Sequence, residues 1–172
     1  CVMDCTWLTG CRTGAATALS ARYLARPDAS MAGILGCGVQ GRTNLAGLAA
    51  LFPLRRAFAF DIDTHAGGRF AEEMTARLGI EVVAVGTARA AVVDSDLVVT
   101  AGPILEEPSP TIEAGWLAPG AFASAVDFDS YWQPAALAEL DHLSTDDHAQ
   151  FAYYRGVGYF QRTPAPHSDL GE

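Results

Sequence analysis

The chain has 172 residues, half of which are hydrophobic, and a formal net charge of −9. This length and hydrophobic share suffice for a folded domain with a sizeable core and exclude an intrinsically disordered chain. The negative charge argues against nucleic acid or an anionic membrane surface as a partner, and no apolar run approaches the roughly twenty residues that a membrane span needs.

The four cysteines all lie in the first quarter of the chain, at Cys1, Cys5, Cys11 and Cys37. Their spacing matches no zinc-binding pattern, and no histidine lies near them in the sequence. We therefore predict reduced, mostly buried thiols in a cytoplasmic protein that holds no metal ion.

Residues 1–30 form a lead-in whose second half predicts a helix over residues 16–26, ended by Pro27. Arg12 stands at the start of this helix, where the helix macrodipole disfavours a cation. A cation in that place suits a bound anion such as a substrate carboxylate. A salt bridge to Asp4 or another neighbour accounts for it equally well, and the residues alone leave both interpretations open.

The most informative stretch is residues 31–61. It begins with a short apolar run over residues 31–35, typical of a strand buried on both faces. The motif that follows reads G-x-G-x-x-G and consists of Gly36, Cys37, Gly38, Val39, Gln40 and Gly41. In a dinucleotide-binding turn the first glycine permits the tight turn, the second leaves room for a pyrophosphate, and the third lets the next helix approach the strand. Helical spacing over residues 39–51 and a second apolar run at 57–60 complete the order strand, turn, helix, strand.

A carboxylate, Asp61, ends the second strand twenty residues beyond Gly41. A dinucleotide-binding fold uses an acidic residue at this place to hold the ribose hydroxyls of adenosine. We therefore predict that the six residues of the motif and Asp61 bind a dinucleotide. Oxidation or alkylation of Cys37, inside the turn, should then hinder cofactor binding. The alternative is a plain glycine turn in which Asp61 caps the next helix.

The same carboxylate indicates which cofactor is bound. A ribose 2′-phosphate beside Asp61 would meet like charge, and no Arg or Lys directly follows that could offset it. NAD is therefore preferred over NADP. Arg69, on the following helix, could reach back toward Asp61 and weaken this preference.

The rest of the chain alternates helices and strands. Helices are predicted over residues 64–78 and 88–93, and strands over residues 80–85, 96–102 and 122–126. This alternation predicts an α/β fold, a Rossmann-type doubly wound parallel sheet with helices on both faces. Ligands of such sheets bind at the carboxyl ends of the strands, so the predicted cofactor-binding residues also include Thr100, Ala101 and Val126.

Two carboxylates, Asp127 and Asp129, follow the fifth strand. On an extended segment, side chains two residues apart point the same way, and a close pair of carboxylates suits proton transfer. The alternative for Asp129 is that it caps the helix predicted over residues 134–140.

We divide the chain into three segments. Residues 1–30 are the lead-in and its helix, residues 31–147 the dinucleotide-binding domain, and residues 148–172 an aromatic and then proline-rich tail. The histidines His142 and His148 have acidic neighbours but no metal-binding spacing, so we predict that they are solvated or locally bonded.

The run from Leu8 to Ala15 reads L-T-G-C-R-T-G-A and precedes the G-x-G-x-Q turn. This pairing resembles the hallmark of the ornithine cyclodeaminase/mu-crystallin family, L-T-x-x-R-T-G-A upstream of G-x-G-x-Q. The resemblance implies an NAD(P)-dependent oxidoreductase or cyclodeaminase that acts on an amino acid or a cyclic imino acid. It also implies that Arg12 contacts the substrate carboxylate and the cofactor, and that Thr13 lies near the diphosphate.

Later segments are also similar to the family. The V-V-T-A run that ends at Ala101 matches the family's run at this place. Alignment with the family's A-x-G-A-D-S motif makes Asp129 the catalytic aspartate, which is expected to orient water or shuttle a proton. Two departures stand beside it, since Asp127 replaces a glycine of that motif and Gln133 replaces a lysine that contacts the cofactor.

The resemblance covers the central, cofactor-binding portion of the family. It implies that the full-length protein is a homodimer, that it binds a small-molecule substrate, and that this chain by itself is inactive. The alternative function is a non-catalytic, mu-crystallin-like protein that binds a nucleotide or small ligand, which the absent lysine suits. A short-chain dehydrogenase is disfavoured because the chain has no Tyr-x-x-x-Lys pair.

Overall fold

The computed structural model describes residues 2–3 and 5–171 of the chain, which divide into two units. The first unit contains the residues up to 102 together with 117–126, and the second contains residues 103–116 and those from 127 onward. In this division residues 127–147 group with residues 148–171. The three segments inferred from the sequence stay a prediction.

The first unit is built on a parallel sheet. Its strands are β1 (Met31–Leu35), β2 (Arg56–Phe60), β3 (Glu81–Ala84), β4 (Leu97–Thr100) and β5 (Phe122–Ala125). Its helices are α1 (Thr6–Leu24), α2 (Val39–Leu51), α3 (Thr64–Leu78) and α4 (Ala88–Val92). The strands lie in the order β3-β2-β1-β4-β5, and all neighbours run parallel. This order is that of a Rossmann-type doubly wound sheet and confirms the predicted fold.

Right-handed crossover connections place helices on both faces of the sheet. Helices α2 and α3 connect strands that step in one direction, from β1 to β2 and on to β3, so they lie on one face. Helix α4 connects β3 back to β4 and lies on the other face. There the Ala91 carbonyl oxygen is 1.9 Å from the position that a Cβ on Gly33 would occupy. The helix approaches β1 this closely because residue 33 has no side chain.

The core of the first unit joins the sheet to α2 and α3. Its fully buried side chains include Ile34, Leu45, Leu48, Phe70, Met74, Leu97 and Val99. Burying one such side chain stabilises a fold by about 1.5–3 kcal/mol. Because β1 and α2 both contribute to this core, the turn between them is anchored at both ends.

Helix α1 begins at Thr6, ten residues before the predicted start. The prediction was wrong because Gly10 and Gly14 weaken a helix by local propensity, whereas here they allow close packing on α2. A Cβ on Gly14 would lie 2.5 Å from the carbonyl oxygen of Thr43. Arg12 is consequently inside the helix and not at its start, so the macrodipole argument does not apply to it. Among the described residues no helix, α1 included, is both long and apolar enough to cross a membrane.

The second unit contains α5 (Pro134–Ala138), β6 (Ser144–Thr145), α6 (His148–Gly156) and β7 (Ser168–Asp169). Strands β6 and β7 pair in parallel. Helix α6 was not predicted from the sequence, and Asp147 caps it by accepting a hydrogen bond from the backbone N–H of Gln150 (2.7 Å). The aromatic residues of the predicted tail pack around Phe128, whose ring contacts Tyr154, Tyr159 and Phe160.

Candidate functional site

The glycine turn between β1 and α2 begins at Gly36, which has a φ of +98°. This backbone conformation is one that residues with a side chain rarely adopt. A Cβ at Gly36 would also lie 2.5 Å from the carbonyl oxygen of Ala101, beyond the end of β4. The turn is therefore held tightly between β1 and β4 and requires glycine at its first position.

The other two glycines of the motif have opposite surroundings. A Cβ on Gly38 would have no heavy atom within 4 Å, so this side of the turn is open. A Cβ on Gly41 would lie 2.2 Å from the carbonyl oxygen of Gly36 and 3.2 Å from Cγ2 of Ile34. The open side at Gly38 can admit a ligand close to the backbone, and the crowded side at Gly41 brings α2 onto β1.

Helix α2 begins directly after Gly38, and no side chain caps its first turn. The first N–H groups of a helix have no acceptor within the helix, and the macrodipole adds partial positive charge at this end. Val39, the first residue of the helix, is 55% exposed. The predicted residues Gly38, Val39, Gln40 and Gly41 thus form the helix N-terminus that suits a phosphate group.

Asp61 lies next to this turn at the end of β2. One carboxylate oxygen accepts a hydrogen bond from the backbone N–H of Cys37 (2.8 Å) and the other from that of Asp63 (2.9 Å). Asp63, and not Asp61, caps α3 by accepting from the backbone N–H of His65 (2.9 Å). The alternative in which Asp61 caps that helix is therefore wrong. Each Asp61 oxygen keeps a lone pair that could accept a ribose hydroxyl.

A surface pocket of about 200 Å³ adjoins Asp61 at the carboxyl ends of β2 and β3. Its lining residues are Asp61, Thr64, Gly67, Ala84, Val85 and Gly86. A larger hollow of about 420 Å³ lies beside α4 and includes Met31, the first residue of β1. That hollow is away from the edge where ligands of such sheets bind, so the smaller pocket is the relevant one. Arg69 lies 4.0 Å from the Asp63 carboxylate, an ion pair between two exposed side chains.

The thiol of Cys37 points into the protein. It is buried and donates a weak hydrogen bond to the carbonyl oxygen of Phe60 (3.6 Å). Burial and the neighbouring Asp61 carboxylate raise the pKa of Cys37 to about 12. Cys5 is exposed and Cys11 partly exposed, so of the described cysteines only Cys37 fits the prediction of a buried thiol.

The remaining predicted cofactor residues lie at the same edge of the sheet. The register pairs Leu35 with Phe60 and with Thr100, and Thr100 with Ala125. The carboxyl ends of β1, β2, β4 and β5 are therefore level. Ala101 and Val126 follow directly, bonded through their N–H groups to the carbonyl oxygens of Leu35 (2.7 Å) and Thr100 (3.0 Å).

Arg12 and Thr13 lie on α1, beside the start of α2. The α1 surface that contacts α2 includes Gly10, where a Cβ would lie 3.0 Å from Cγ1 of Val39. At about 100° per residue, Thr13 borders this surface and Arg12 lies roughly 160–200° around the helix from it. Arg12 is exposed, and it makes no ion pair with another described residue. The alternative partner Asp4 lies outside the described residues.

Asp129 belongs to the second unit. It is buried, and its Oδ2 accepts a hydrogen bond from the hydroxyl of Thr163 (2.8 Å). The segment that holds it is a turn in which Phe128 has a φ of +63°, so the predicted extended geometry is wrong. Gln133 is the N-cap residue of α5, which excludes Asp129 as the cap of that helix. Among the described residues, no group of three or more His, Cys, Asp or Glu side chains could hold a metal ion.

The sequence profile of the ornithine cyclodeaminase/mu-crystallin family matches residues 1–141. The chain belongs to this family. An ornithine cyclodeaminase from Agrobacterium tumefaciens is 35% identical over 97 residues, which cover 56% of this chain and 27% of that relative.

Two solved structures share the fold. The Δ1-pyrroline-2-carboxylate reductase of Thermococcus litoralis, in complex with NADH and L-proline, is 29% identical, with a TM-score of 0.81 over 98% of this chain and 54% of the reductase. An archaeal alanine dehydrogenase dimer with bound NAD is 26% identical, with a TM-score of 0.79 over 99% of this chain and 54% of the dehydrogenase. The chain spans about half the length, or less, of these relatives.

The two residues Tyr131 and Trp132, which follow Asp129 closely, are packed into the second unit. The Tyr131 hydroxyl donates a hydrogen bond to the carbonyl oxygen of Pro103 (3.1 Å). Burial, and then the Asp127 carboxylate, raise the pKa of Tyr131. Trp132 is buried and pairs with Ile112 in an isolated parallel bridge.

One residue of the site, Arg42, was missed by the sequence analysis. It follows the family's glycine motif directly and lies in the first turn of α2. Its Nη1 donates hydrogen bonds to the carbonyl oxygens of Cys37 and Gly38, and its Nε donates to Oε2 of Glu73 (2.8 Å). The position of Arg42 in the first turn of a predicted helix could have drawn attention to it. A cation is unfavourable at a helix N-terminus unless something compensates for it.

Proposed function

We propose that this chain is the NAD-binding portion of an NAD(P)-dependent oxidoreductase or cyclodeaminase acting on an amino acid or a cyclic imino acid. The observation that carries the proposal is the open side of the glycine turn at Gly38, next to the Asp61 carboxylate. Membership of the family supports it, as do the NADH and NAD complexes of the two similar structures.

The residues present fit a dinucleotide. Gly38 leaves space for a diphosphate, the uncapped first turn of α2 offers N–H donors to it, and Asp61 offers acceptors to ribose hydroxyls. Thr100, Ala101 and Val126 would border the rest of the cofactor at the same sheet edge. When bound, NAD supplies a carrier that takes hydride from, or gives it to, the α-carbon of the substrate.

NAD is favoured over NADP by the charges around Asp61. A 2′-phosphate there would face the carboxylates of Asp61 and of Asp63, two residues further on. Arg69, the cation considered as a counterweight, is within ion-pair distance of Asp63, which partly neutralises it. These charges support a preference for NAD.

We assign roles to three side chains on the basis of the family motifs. Arg12 would hold the substrate carboxylate and Thr13 would lie near the diphosphate. Asp129 would hold or move a proton, or orient water, at the α-carbon, and its contact with Thr163 would keep the carboxylate in one orientation. We also propose that the full-length protein is a cytoplasmic homodimer. The free thiols among the described cysteines and the dimeric alanine dehydrogenase support this proposal.

Two titrations test the cofactor proposal. The chain is titrated with NADH and with NADPH by calorimetry, and we expect NADH to bind at least about tenfold more tightly, a difference of 1.4 kcal/mol. No heat with either cofactor would exclude the proposal, and equal affinities would exclude the preference for NAD.

The second test concerns chemistry in the full-length protein. Reduction of pyrroline-2-carboxylate is followed as loss of NADH absorbance, in the wild type and in Asp129→Asn. The variant should lose turnover while its NADH affinity stays unchanged. Equal turnover would overturn the assignment of Asp129.

A non-catalytic binding protein is the second candidate, because Gln133 replaces the family's lysine and serves as the N-cap of α5. NADH binding without turnover of cyclic imines or amino acids in the full-length protein would favour that candidate. Turnover would exclude it.

A further inference from the structure

We propose that Arg42 is a positioning residue that holds the glycine turn in its diphosphate-binding shape and thereby sets the affinity for the dinucleotide. This inference rests on the proposed function, because it concerns the same turn. It adds a residue outside the glycine motif, together with its partners on α3.

Arg42 orients two peptide groups of the turn. A trans peptide unit is planar, and its N–H points opposite to its C=O. Arg42 Nη1 binds the carbonyl oxygens of Cys37 and Gly38. The N–H groups in the same two peptide units, those of Gly38 and Val39, therefore point away from the guanidinium. A diphosphate on that opposite side would meet two N–H groups that are already aligned.

Arg42 is itself held by two residues of α3. Its Nε donates to Oε2 of Glu73 at 2.8 Å, and its guanidinium lies over the Phe70 ring, 5.3 Å from the ring centroid. Both partners are on α3, and Phe70 is fully buried. Glu73 also offsets the unfavourable interaction between a cation and the N-terminus of α2. The planar guanidinium is thus fixed at one end by α3 and at the other by the turn.

Another contact, with Asp61, holds the turn at Cys37. Asp61 accepts a hydrogen bond from the backbone N–H of Cys37 at 2.8 Å. The peptide groups on both sides of Cys37 are therefore held, one by Asp61 and the next by Arg42. Nη1, the nitrogen that reaches the turn, donates to the two carbonyl oxygens. In this proposal Arg42 therefore acts on the cofactor through the backbone.

The experiment compares three variants of the chain. Arg42→Met removes the donors, Arg42→Lys restores a single donor group that can reach the carbonyl oxygens, and Arg56→Met is the matched control. Arg56 forms a comparable ion pair with Glu81 (2.5 Å). These residues begin β2 and β3, so the pair lies at the amino ends of the strands, away from the turn. The two readouts are the Kd for NADH and the rate at which Cys37 is labelled by iodoacetamide.

We expect Arg42→Met to raise the Kd for NADH about tenfold, because charge-assisted hydrogen bonds to two peptide groups are lost. Labelling of Cys37 should become faster, because the turn that buries its thiol is no longer held on the side of α2. We expect this gain in exposure to outweigh the loss of the Arg42 charge, which lowers the pKa of Cys37. Arg42→Lys should recover much of the affinity, and Arg56→Met should match the wild type in both readouts. If Arg42→Met does not fold, Glu73→Gln, which keeps Arg42 but weakens its anchor, should raise the Kd several-fold.

Three results would overturn the inference. Unchanged NADH affinity in folded Arg42→Met, or in Glu73→Gln where that variant replaces it, would show that the turn does not depend on this side chain. A higher Kd with wild-type labelling of Cys37 would indicate direct contact between Arg42 and the cofactor. A wild-type chain that binds no NADH would overturn the proposed function and the affinity role together. The first two results leave the proposed function intact, so the two failures can be told apart.

Discussion

Gly38→Ala separates the fit of the cofactor from the stability of the fold. A Cβ at this position meets no heavy atom within 4 Å, and the backbone there has φ −84° and ψ −159°, which alanine can adopt. The added methyl group therefore costs the protein itself no steric clash. It does project into the open space that a diphosphate would occupy.

The two contributions to stability are small and opposite. Replacing glycine by alanine at a compatible backbone conformation stabilises a protein by about 0.4–1 kcal/mol through the unfolded state. Alanine is a poorer N-cap residue than glycine, and this costs roughly 0.5–1 kcal/mol. The free energy of unfolding should therefore change by less than about 1 kcal/mol. The Kd for NADH should rise at least about tenfold, because the diphosphate must move away from the N–H donors of α2.

The assay pairs urea unfolding with NADH titration, and Gly41→Ala is the contrasting variant. Its Cβ would lie 2.2 Å from the carbonyl oxygen of Gly36, so we expect a loss of about 1–3 kcal/mol of stability from overpacking. A stable Gly38→Ala that binds NADH like the wild type would refute the reasoning, because no diphosphate could then approach Gly38.

Three further predictions concern single side chains. Because the pKa of Cys37 is raised from 9.0 to about 12, the folded thiol stays protonated where the unfolded thiol ionises. Its stabilisation is therefore complete below pH 9 and is lost at about 1.4 kcal/mol per pH unit between pH 9 and 12. Urea titrations should show a slope that is steeper in the wild type than in Cys37→Ala by about this amount, because the raised pKa of Tyr131 lowers the stability of both proteins at high pH. Asp61→Ser should weaken NADH binding about tenfold, because the acceptor of the ribose hydroxyls is lost, and should improve NADPH binding, because a like charge is removed. If calorimetry gave an unchanged ratio of the Kd for NADPH to the Kd for NADH, this would contradict the role of Asp61. Thr163→Val should destabilise the protein by about 1–3 kcal/mol, because a buried Asp129 oxygen loses its donor, whereas Thr163→Ser should unfold at the wild-type urea concentration.

The sheet and its helices could be predicted because local signals there agree with the tertiary structure. The apolar strands and the helical spacing over residues 39–51 and 64–78 indicate elements that the structure contains. The start of α1 could not be predicted, because Gly10 and Gly14 are poor helix formers whose value is a close contact with another helix. Helix α6 was missed because it packs through Tyr154 on Phe128, a contact that the local spacing does not reveal.

In the candidate site too, residues with a local sequence motif could be predicted and residues that depend on distant contacts could not. The roles of Gly36, Gly38 and Gly41 follow from the spacing of the motif, and the surroundings of each glycine agree with them. Arg42 could not be found in this way, because it binds backbone carbonyl groups and a residue 31 positions away. Asp129 was identified from a motif, but its partner Thr163 lies in the segment predicted as a tail.

The packing of α1 on α2 has a consequence for natural variation. A methyl group on Gly14 would lie 2.5 Å from the Thr43 carbonyl oxygen, and one on Gly47 would lie 2.7 Å from that of Gly14. Natural selection should therefore remove substitutions of Gly14 and Gly47 as strictly as it removes substitutions of catalytic residues. Invariance at both positions among natural sequences would then report the spacing between two helices and carry no information about chemistry.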